Sequence, residues 1–362
     1  MRVLYFGTYE RDYPRNSQVI SALRAAGVEV LERHVSLWES QRHKLAIGFR
    51  QIARACVAEA RLATVPTPNS DVVIVGYPGH LDMLSAKRAA RGRPVVFNPL
   101  LSLEDTIVGD RALVGQRSLR ARTLRLLDRT AFRGADLVVA DTEAHARYFA
   151  ETFDLPAERV AVAFVGAEDR LFRGDDRPAR SGFQVLFVGK LIPLHGLETI
   201  LGASALCPEI EFRIVGSGQL DHLVSHLPPN VQREPWVAYE RLPDRYRAAG
   251  CALGIFGTSD KSARVIPNKA FQALATGTPL ITADTPAARE LLVNDESALL
   301  VRPGDATELA AAIRRIVSDP QLSSRLSQGG LDVYRARASE PVLGARWREL
   351  LEGVVARSSR GR

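Results

Sequence analysis

The sequence predicts an α/β fold made of two successive domains, each built around a parallel sheet. Three observations predict it. Short β-forming runs, such as Val72-Val73-Ile74-Val75 and Val185-Leu186-Phe187-Val188, alternate with stretches of helical period, which is the grammar of βαβ units. The alternation restarts after residues 171–182, a polar stretch rich in Asp, Arg, Gly and Pro, and that stretch reads as a linker. The chain has 362 residues, 46% hydrophobic and 25% charged, which is enough apolar mass for two soluble cores.

The bulk properties narrow the function classes only a little. A net charge of +7 points to an anionic partner, and nucleic acid, a nucleotide-sugar and an anionic membrane surface all qualify. Cys56, Cys207 and Cys251 are odd in number and form no CxxC pair, so they read as reduced, mostly buried thiols of a cytoplasmic protein. The N-terminus turns charged too soon for a signal peptide, and no apolar run of about 18 residues is present to span a membrane.

In the first half, Val3 to Phe6 reads as a strand left through Gly7-Thr8-Tyr9, and Asn16 to Ala26 as a helix with Val19, Ile20 and Leu23 inward. Ligands of parallel sheets sit beyond the carboxyl ends of the strands, so Gly7 and Thr8 are candidates to line a cleft, or simply a tight turn. Residues 43–62 have helical period, with Leu45, Phe49, Ile52 and Cys56 on one seam and Arg50, Arg54 and Arg61 opposite, either a solvated face or a membrane-surface helix. His80 follows the strand Val72–Val75 and is expected at the cleft mouth, where an imidazole can position or polarise a hydroxyl. Glu104 and Asp105 follow the strand ending at Phe97, and Asp105 is a candidate acceptor-binding residue or base. Arginines run from Arg111 to Arg133, with Leu119, Leu124, Leu126 and Leu127 as the apolar side. Such a strip attracts phosphates or lipid headgroups. It lacks the interleaved aromatics that stack bases, so nucleic acid is set aside.

In the second half, Gly189-Lys190-Leu191-Ile192-Pro193-Leu194-His195-Gly196 joins a strand to a helix. Its glycines let backbone approach a ligand, and Lys190 and His195 supply donors, His195 whether or not it is charged. Gly216-Ser217-Gly218 leaves the next strand, and Trp236 is placed in the core. Residues 266–282, IPNKAFQALATGTPLIT, read as a helix entered at Pro267 and stopped by Gly277, followed by a buried strand. Phe271, Leu274 and Ala275 make its apolar stripe, while Lys269, Gln272 and Thr276 share the other side. The helix N-terminus suits a phosphate or a hydroxyl. Asp305 and Glu308 form a capping box for a helix carrying Leu309, Ile313 and Ile316. A last helix is read over residues 342–355, ahead of a frayed basic tail.

These motifs resemble the family 4 glycosyltransferases. The Ala275-Thr276-Gly277-Thr278-Pro279 turn matches the family's Ala-x-Gly-x-Pro, whereas the two glutamates that precede it in the family fall on Arg264 and Gln272. The 189–196 loop matches the one whose Arg and Lys hold the donor diphosphate, here Lys190 and His195. Pro235 to Tyr239 stands where the family holds the nucleotide base, and of the family's Asn-Gly-Val-Asp only Gly166 and Asp169 remain.

The resemblance implies the GT-B fold, two Rossmann-like domains facing a central cleft: an acceptor-binding domain over 1–172, a nucleotide-sugar-binding domain over 183–335, and a helix over 336–362 crossing back. It implies a retaining, hexosyltransferase-type enzyme with a nucleotide-diphosphate sugar as co-substrate and no other cofactor. The chain contains no Asp-x-Asp, which fits the metal-independent enzymes of this fold. The expected catalytic residues are His80, Asp105, Lys190 and Arg264. The donor-binding set is Gly7, Thr8, Gly189, Lys190, His195, Gly216, Arg264, Asn268, Lys269 and Gln272, with Gly7 and Thr8 also on the acceptor side. A lipid-linked or other small-molecule acceptor and a peripheral contact with the inner face of the membrane are expected. The alternative is a catalytically silent protein of this fold acting as a binding or regulatory partner, because Arg264 reverses a charge.

Overall fold

A computed structural model describes residues 1–37, 49–64, 66–174 and 182–360, with residues 49–53 described in backbone only. They form two compact units, Met1–Val165 with Glu340–Arg362, and Gly166–Ser339. The first half of the chain runs β1 (Arg2–Gly7), α1 (Pro14–Ala25), β2 (Glu29–His34), α2 (Phe49–Thr64), β3 (Val72–Val75), α3 (Met83–Ala90), β4 (Val95–Phe97), α4 (Leu119–Gly134), β5 (Leu137–Ala140), α5 (Glu143–Phe153) and β6 (Val160–Val162). The second half runs β7 (Gln184–Val188), α6 (Leu197–Leu206), β8 (Glu211–Val215), β9 (Val231–Glu234), α7 (Leu242–Ala248), β10 (Cys251–Leu253), α8 (Asn268–Ala275), β11 (Leu280–Ala283), α9 (Pro286–Arg289), β12 (Leu299–Val301), α10 (Ala306–Ser318), α11 (Pro320–Arg337) and α12 (Glu340–Arg360).

The first sheet is six-stranded and parallel, ordered β2-β1-β3-β4-β5-β6. Alternate residues of its strands feed two cores. Leu4, Phe6, Val73, Val75 and Phe97 pack with Phe132 and Phe149 on one face, and Val3, Tyr5, Val72, Ile74 and Val96 pack with Trp347 on the other. This is the period of two that a sheet covered on both faces requires. Trp347 lies on α12, which belongs to this unit. Its Leu343, Trp347, Leu351 and Val354 form a buried stripe, each worth about 1.5–3 kcal/mol of burial. That burial keeps the helix wound to Arg360, so the basic tail is helical through that residue rather than frayed.

The second sheet, also six-stranded and parallel, is ordered β12-β11-β10-β7-β8-β9. Val185, Phe187, Phe212, Ile214 and Ile281 make its core with Leu309 and Ile313 of α10. The Asp305 cap is present, its Oδ1 accepting from the Glu308 N–H at 2.8 Å.

Several expectations need correcting. Gly166–Phe172 belong with the second unit, not the first. Phe172 is buried edge-on to Tyr239 and Tyr246, and the Tyr334 hydroxyl donates to the Ala167 carbonyl at 3.2 Å. Leu45 of the basic helix lies outside the described residues. Of the others, Cys56 is exposed because Ala58 and Leu62 turn inward instead. On α4, Leu124 is buried, but Leu119 and Leu126 are 79% and 66% exposed. Trp236 is not core: it is 78% exposed, in the irregular segment after β9, the edge strand.

Candidate active site

In each sheet the strand order turns back beside the first strand, between β1 and β3 and between β7 and β10. Ligands of such sheets bind past the carboxyl ends of the strands at this switch point. In the second unit, three segments meet there: the loop after β7, the segment after β10, and the start of α8.

The loop after β7 begins at Gly189, whose φ of +152° is costly for any side chain. A Cβ there would lie 2.7 Å from Lys269 Nζ and 3.1 Å from His195 Cε1. Gly216 packs against the Gly189 carbonyl so closely that a Cβ would clash with it, so Gly216 shapes the turn from behind. Lys190 is exposed, while His195 is buried edge-on to Phe187. His195 Nδ1 lies within hydrogen-bond distance of the Lys190 carbonyl, which can only accept. Nδ1 therefore carries the proton, and Nε2 of the neutral ring offers a lone pair. His195 thus donates through Nδ1 in either charge state, as the sequence reading expects, but to the Lys190 carbonyl. At Nε2 it donates only as imidazolium.

After β10 the chain turns at Gly257. The Ser262 hydroxyl bridges the Gly257 and Ser259 carbonyls, at 2.7 and 2.6 Å. This pins the 3-10 turn Ser262–Arg264, so partly buried Arg264 stands just ahead of α8. Pro267 is the residue before the helix, and Asn268 and Lys269 open it. The polar stripe of α8 is buried: Lys269, Gln272 and Thr276 are at most 5% exposed. Lys269 Nζ sits 4.0 Å above the Phe187 ring, and burial alone pushes its amine well below the usual lysine range. The Gln272 carboxamide oxygen accepts from the Tyr246 hydroxyl at 3.1 Å. Tyr246 is a partner that sequence reasoning missed, since only the fold brings α7 beside α8.

In the first unit, the candidate residues are held by other side chains. Gly7 (φ +131°) leaves room for Asp82, which a Cβ would strike. Thr8 donates its N–H to Asp82 Oδ2 at 2.8 Å and its hydroxyl to Oδ1 at 2.9 Å. Burial, then the nearby Glu59 carboxylate, push Asp82 well above the usual carboxylate range, against the pull of Thr8. His80 does not open onto a rim. Its side chain is enclosed against Phe97 and Phe132, because the chain between β3 and α3 folds inward.

His80 Nε2 lies 3.2 Å from Asp128 Oδ1. Asp128 in turn accepts from the Ser102 hydroxyl and the N–H groups of Leu103 and Glu104, at 2.7, 3.0 and 2.9 Å. Burial raises Asp128, but His80 and these donors outweigh it and hold the carboxyl below the usual range. His80 therefore steadies, through Asp128, the loop that leads into Asp105. Asp105 itself is partly buried at the start of a π-helical turn, Asp105–Asp110. Among the described residues, no cluster of three or more His, Cys, Asp or Glu is placed to hold a metal ion.

The family model for Glycosyl transferases group 1 matches residues 182–319, and that for the Glycosyl transferase 4-like domain matches residues 2–166. The D-inositol 3-phosphate glycosyltransferase of Nocardioides sp. is 30% identical over 349 residues, 85% of this chain and 73% of that protein. The chain belongs to the family 4 glycosyltransferases. The lipopolysaccharide core biosynthesis glycosyltransferase LpsD of Rhizobium meliloti is 27% identical, over 51% of this chain and 54% of its own length. Among solved structures, sucrose-phosphate synthase from Thermosynechococcus elongatus aligns with TM-score 0.74 and 18% identity, covering 98% and 99% of the two chains. Anabaena HepE in complex with UDP-glucose aligns with TM-score 0.70 and 17% identity, covering 98% and 100%. The fold of this glycosyltransferase is therefore GT-B. Arg264 and Gln272 both belong to the site just described.

Proposed function

We propose that the enzyme transfers a sugar from a nucleotide-diphosphate donor to an acceptor hydroxyl with retention of configuration and without a metal. The observation that carries this is the meeting of Lys190, His195, Lys269 and the α8 N-terminus past the ends of β7 and β10, where buried and exposed basic groups gather without a carboxylate from the family motif. A leaving diphosphate is stabilised there by side-chain cations and the helix dipole, the work a metal does in other transferases. Gln272 meets the ribose through its carboxamide, whose oxygen keeps a second lone pair beside the Tyr246 hydroxyl. Arg264, with Asn268, meets the donor's sugar or phosphate. Gly7, Thr8 and Asp105 serve the acceptor side, and His80 acts as a positioning residue. The relatives' names, an inositol phosphate and a lipopolysaccharide core, fit a phosphorylated or lipid-linked acceptor. The exposed leucines of α4 set among arginines fit an anionic membrane surface; among the described residues, no helix is long and apolar enough to cross a membrane.

A thermal-shift screen of UDP-, GDP-, TDP- and ADP-sugars with EDTA present tests the donor reading. Specific binding at a hundredfold excess over Kd stabilises by about 2.7 kcal/mol. One nucleotide class is expected to raise Tm, and Lys190→Ala, an exposed change, is expected to abolish that shift. No shift with any nucleotide, in folded protein, returns the chain to a silent binding partner.

A further inference from the structure

Lys269 Nζ is buried without a hydrogen-bond partner among the described residues. An ammonium in that position is costly unless it is paired, and burial accordingly favours the neutral amine, which sits over the Phe187 ring. Yet it is aimed at a turn that is bare for its sake. The space a Cβ of Gly189 would occupy is taken by Lys269 Nζ and Cε on one side and His195 Cε1 on the other. The backbone of Gly189 thus lies in close approach to two titratable side chains, at the end of the strand where ligands of such sheets bind. His195 holds its Nδ1 proton on the Lys190 carbonyl. The α8 N-terminus adds its dipole beside them.

We propose that Lys269 binds the diphosphate of the donor across Gly189 and takes up one proton from solvent as it does so, making donor binding proton-coupled. This rests on the nucleotide-sugar reading above and adds where the positive charge comes from. The amine becomes an ammonium, R–NH2 + H⁺ → R–NH3⁺, and the new charge is neutralised by the phosphate oxygens that enter with it. The ionisable groups on the segments around it are Lys190 and His195 after β7, and Asp260, Lys261 and Arg264 before α8; the one carboxylate, Asp260, is exposed. β10 and β11 bring no charged side chain. α7 meets α8 through Tyr246 on Gln272, and α11 meets it through Gly330 on Leu274. The fall in the amine's proton affinity comes from burial alone, so an arriving dianion is the natural source of its reversal.

The test is isothermal titration of the full chain with UDP, GDP, TDP and ADP at pH 8. It is run in HEPES and in Tris, whose ionisation enthalpies differ widely. A terminal phosphate of pKa about 6 is already ionised there. Expected is close to one proton taken up per nucleotide, with affinity falling about tenfold per pH unit above the coupling pH. Lys269→Met, apolar and of similar length, is expected to take up close to none and to bind at least tenfold more weakly. Binding by the wild type without proton uptake overturns the proposal and leaves the donor reading standing. So does a Met variant with unchanged affinity and uptake. Absence of binding by any nucleotide overturns both.

Discussion

Two buried basic residues, one in each sheet unit, show what the halves are built to do. Arg15 of α1 is fully buried, and each of its three guanidinium nitrogens donates a hydrogen bond. It donates to Asn98 Oδ1 at 2.7 Å and to the carbonyls of Ala163, Phe164 and Val139 at 2.8, 3.2 and 3.4 Å. It also stands 5.6 Å over the Trp347 ring. Its guanidinium ties α1 to the segments after β4 and β6 and to the end of β5. Lys269 of α8 is also buried and, among the described residues, has no hydrogen-bond partner. Burial lowers the pKa of both, but only Arg15 has a compensating carboxylate, Asp141. A buried cation whose bonds are all made is architecture. One without bonds is an expense of stability that a ligand can recover.

The largest test of this contrast is Arg15→Met. Four acceptors lose their donor at once, and stability is expected to fall by about 3–5 kcal/mol, read from the urea midpoint at unchanged slope. A loss under about 1 kcal/mol would remove the architectural half of the comparison.

Lys269→Met is expected to move the other way. Removing a partnerless buried donor is worth about 1–3 kcal/mol, so the variant that binds nucleotide poorly melts later. The sign with pH follows from linkage. In the unfolded chain the amine keeps its proton up to the ordinary value of 10.5, while the folded amine has lost it far below that. The unfolded state binds more protons across this window, so wild-type stability rises with pH. The advantage of the Met variant is therefore large at neutral pH and shrinks as pH approaches 10.5. Thermal melts at pH 7 and pH 10 check it; an advantage that grows with pH would mean that Lys269 is charged at rest.

Much of this was legible before any coordinates. The restarting βαβ pattern, the bare turns at Gly189 and Gly196, and the Asp305 cap are local signals, and local signals survive in sequence. What could not be read is partnership across the chain. Arg15 looks like any helix-surface arginine until α1 lies across three strand ends. His80 looks like a rim residue because Asp128, its partner, is far along the chain. The polar stripe of Lys269, Gln272 and Thr276 has the same spacing whether it faces water or a closed site, so its burial was invisible. α11 was missed because only Leu322, Leu326, Gly330 and Tyr334 of its 18 residues turn inward, too sparse a stripe to stand out from a polar connection.

The exposed cations supply the smallest structural effect and extend the comparison to a third kind of basic residue. On α4, Leu119, Arg122, Leu126 and Arg129 recur at helical spacing, and all are exposed, so no contact among the described residues explains leucines in that row. Changing Arg122 and Arg129 together to Glu is expected to alter stability by less than about 0.5 kcal/mol, as for surface sites generally. If the row rests on an anionic membrane, each arginine near the surface adds about 1 kcal/mol, and reversing both charges removes flotation with phosphatidylglycerol vesicles. Phosphatidylcholine vesicles should float neither protein. Equal flotation of wild type and variant on the anionic vesicles would mean that this row is merely solvated, with the arginines serving solubility alone.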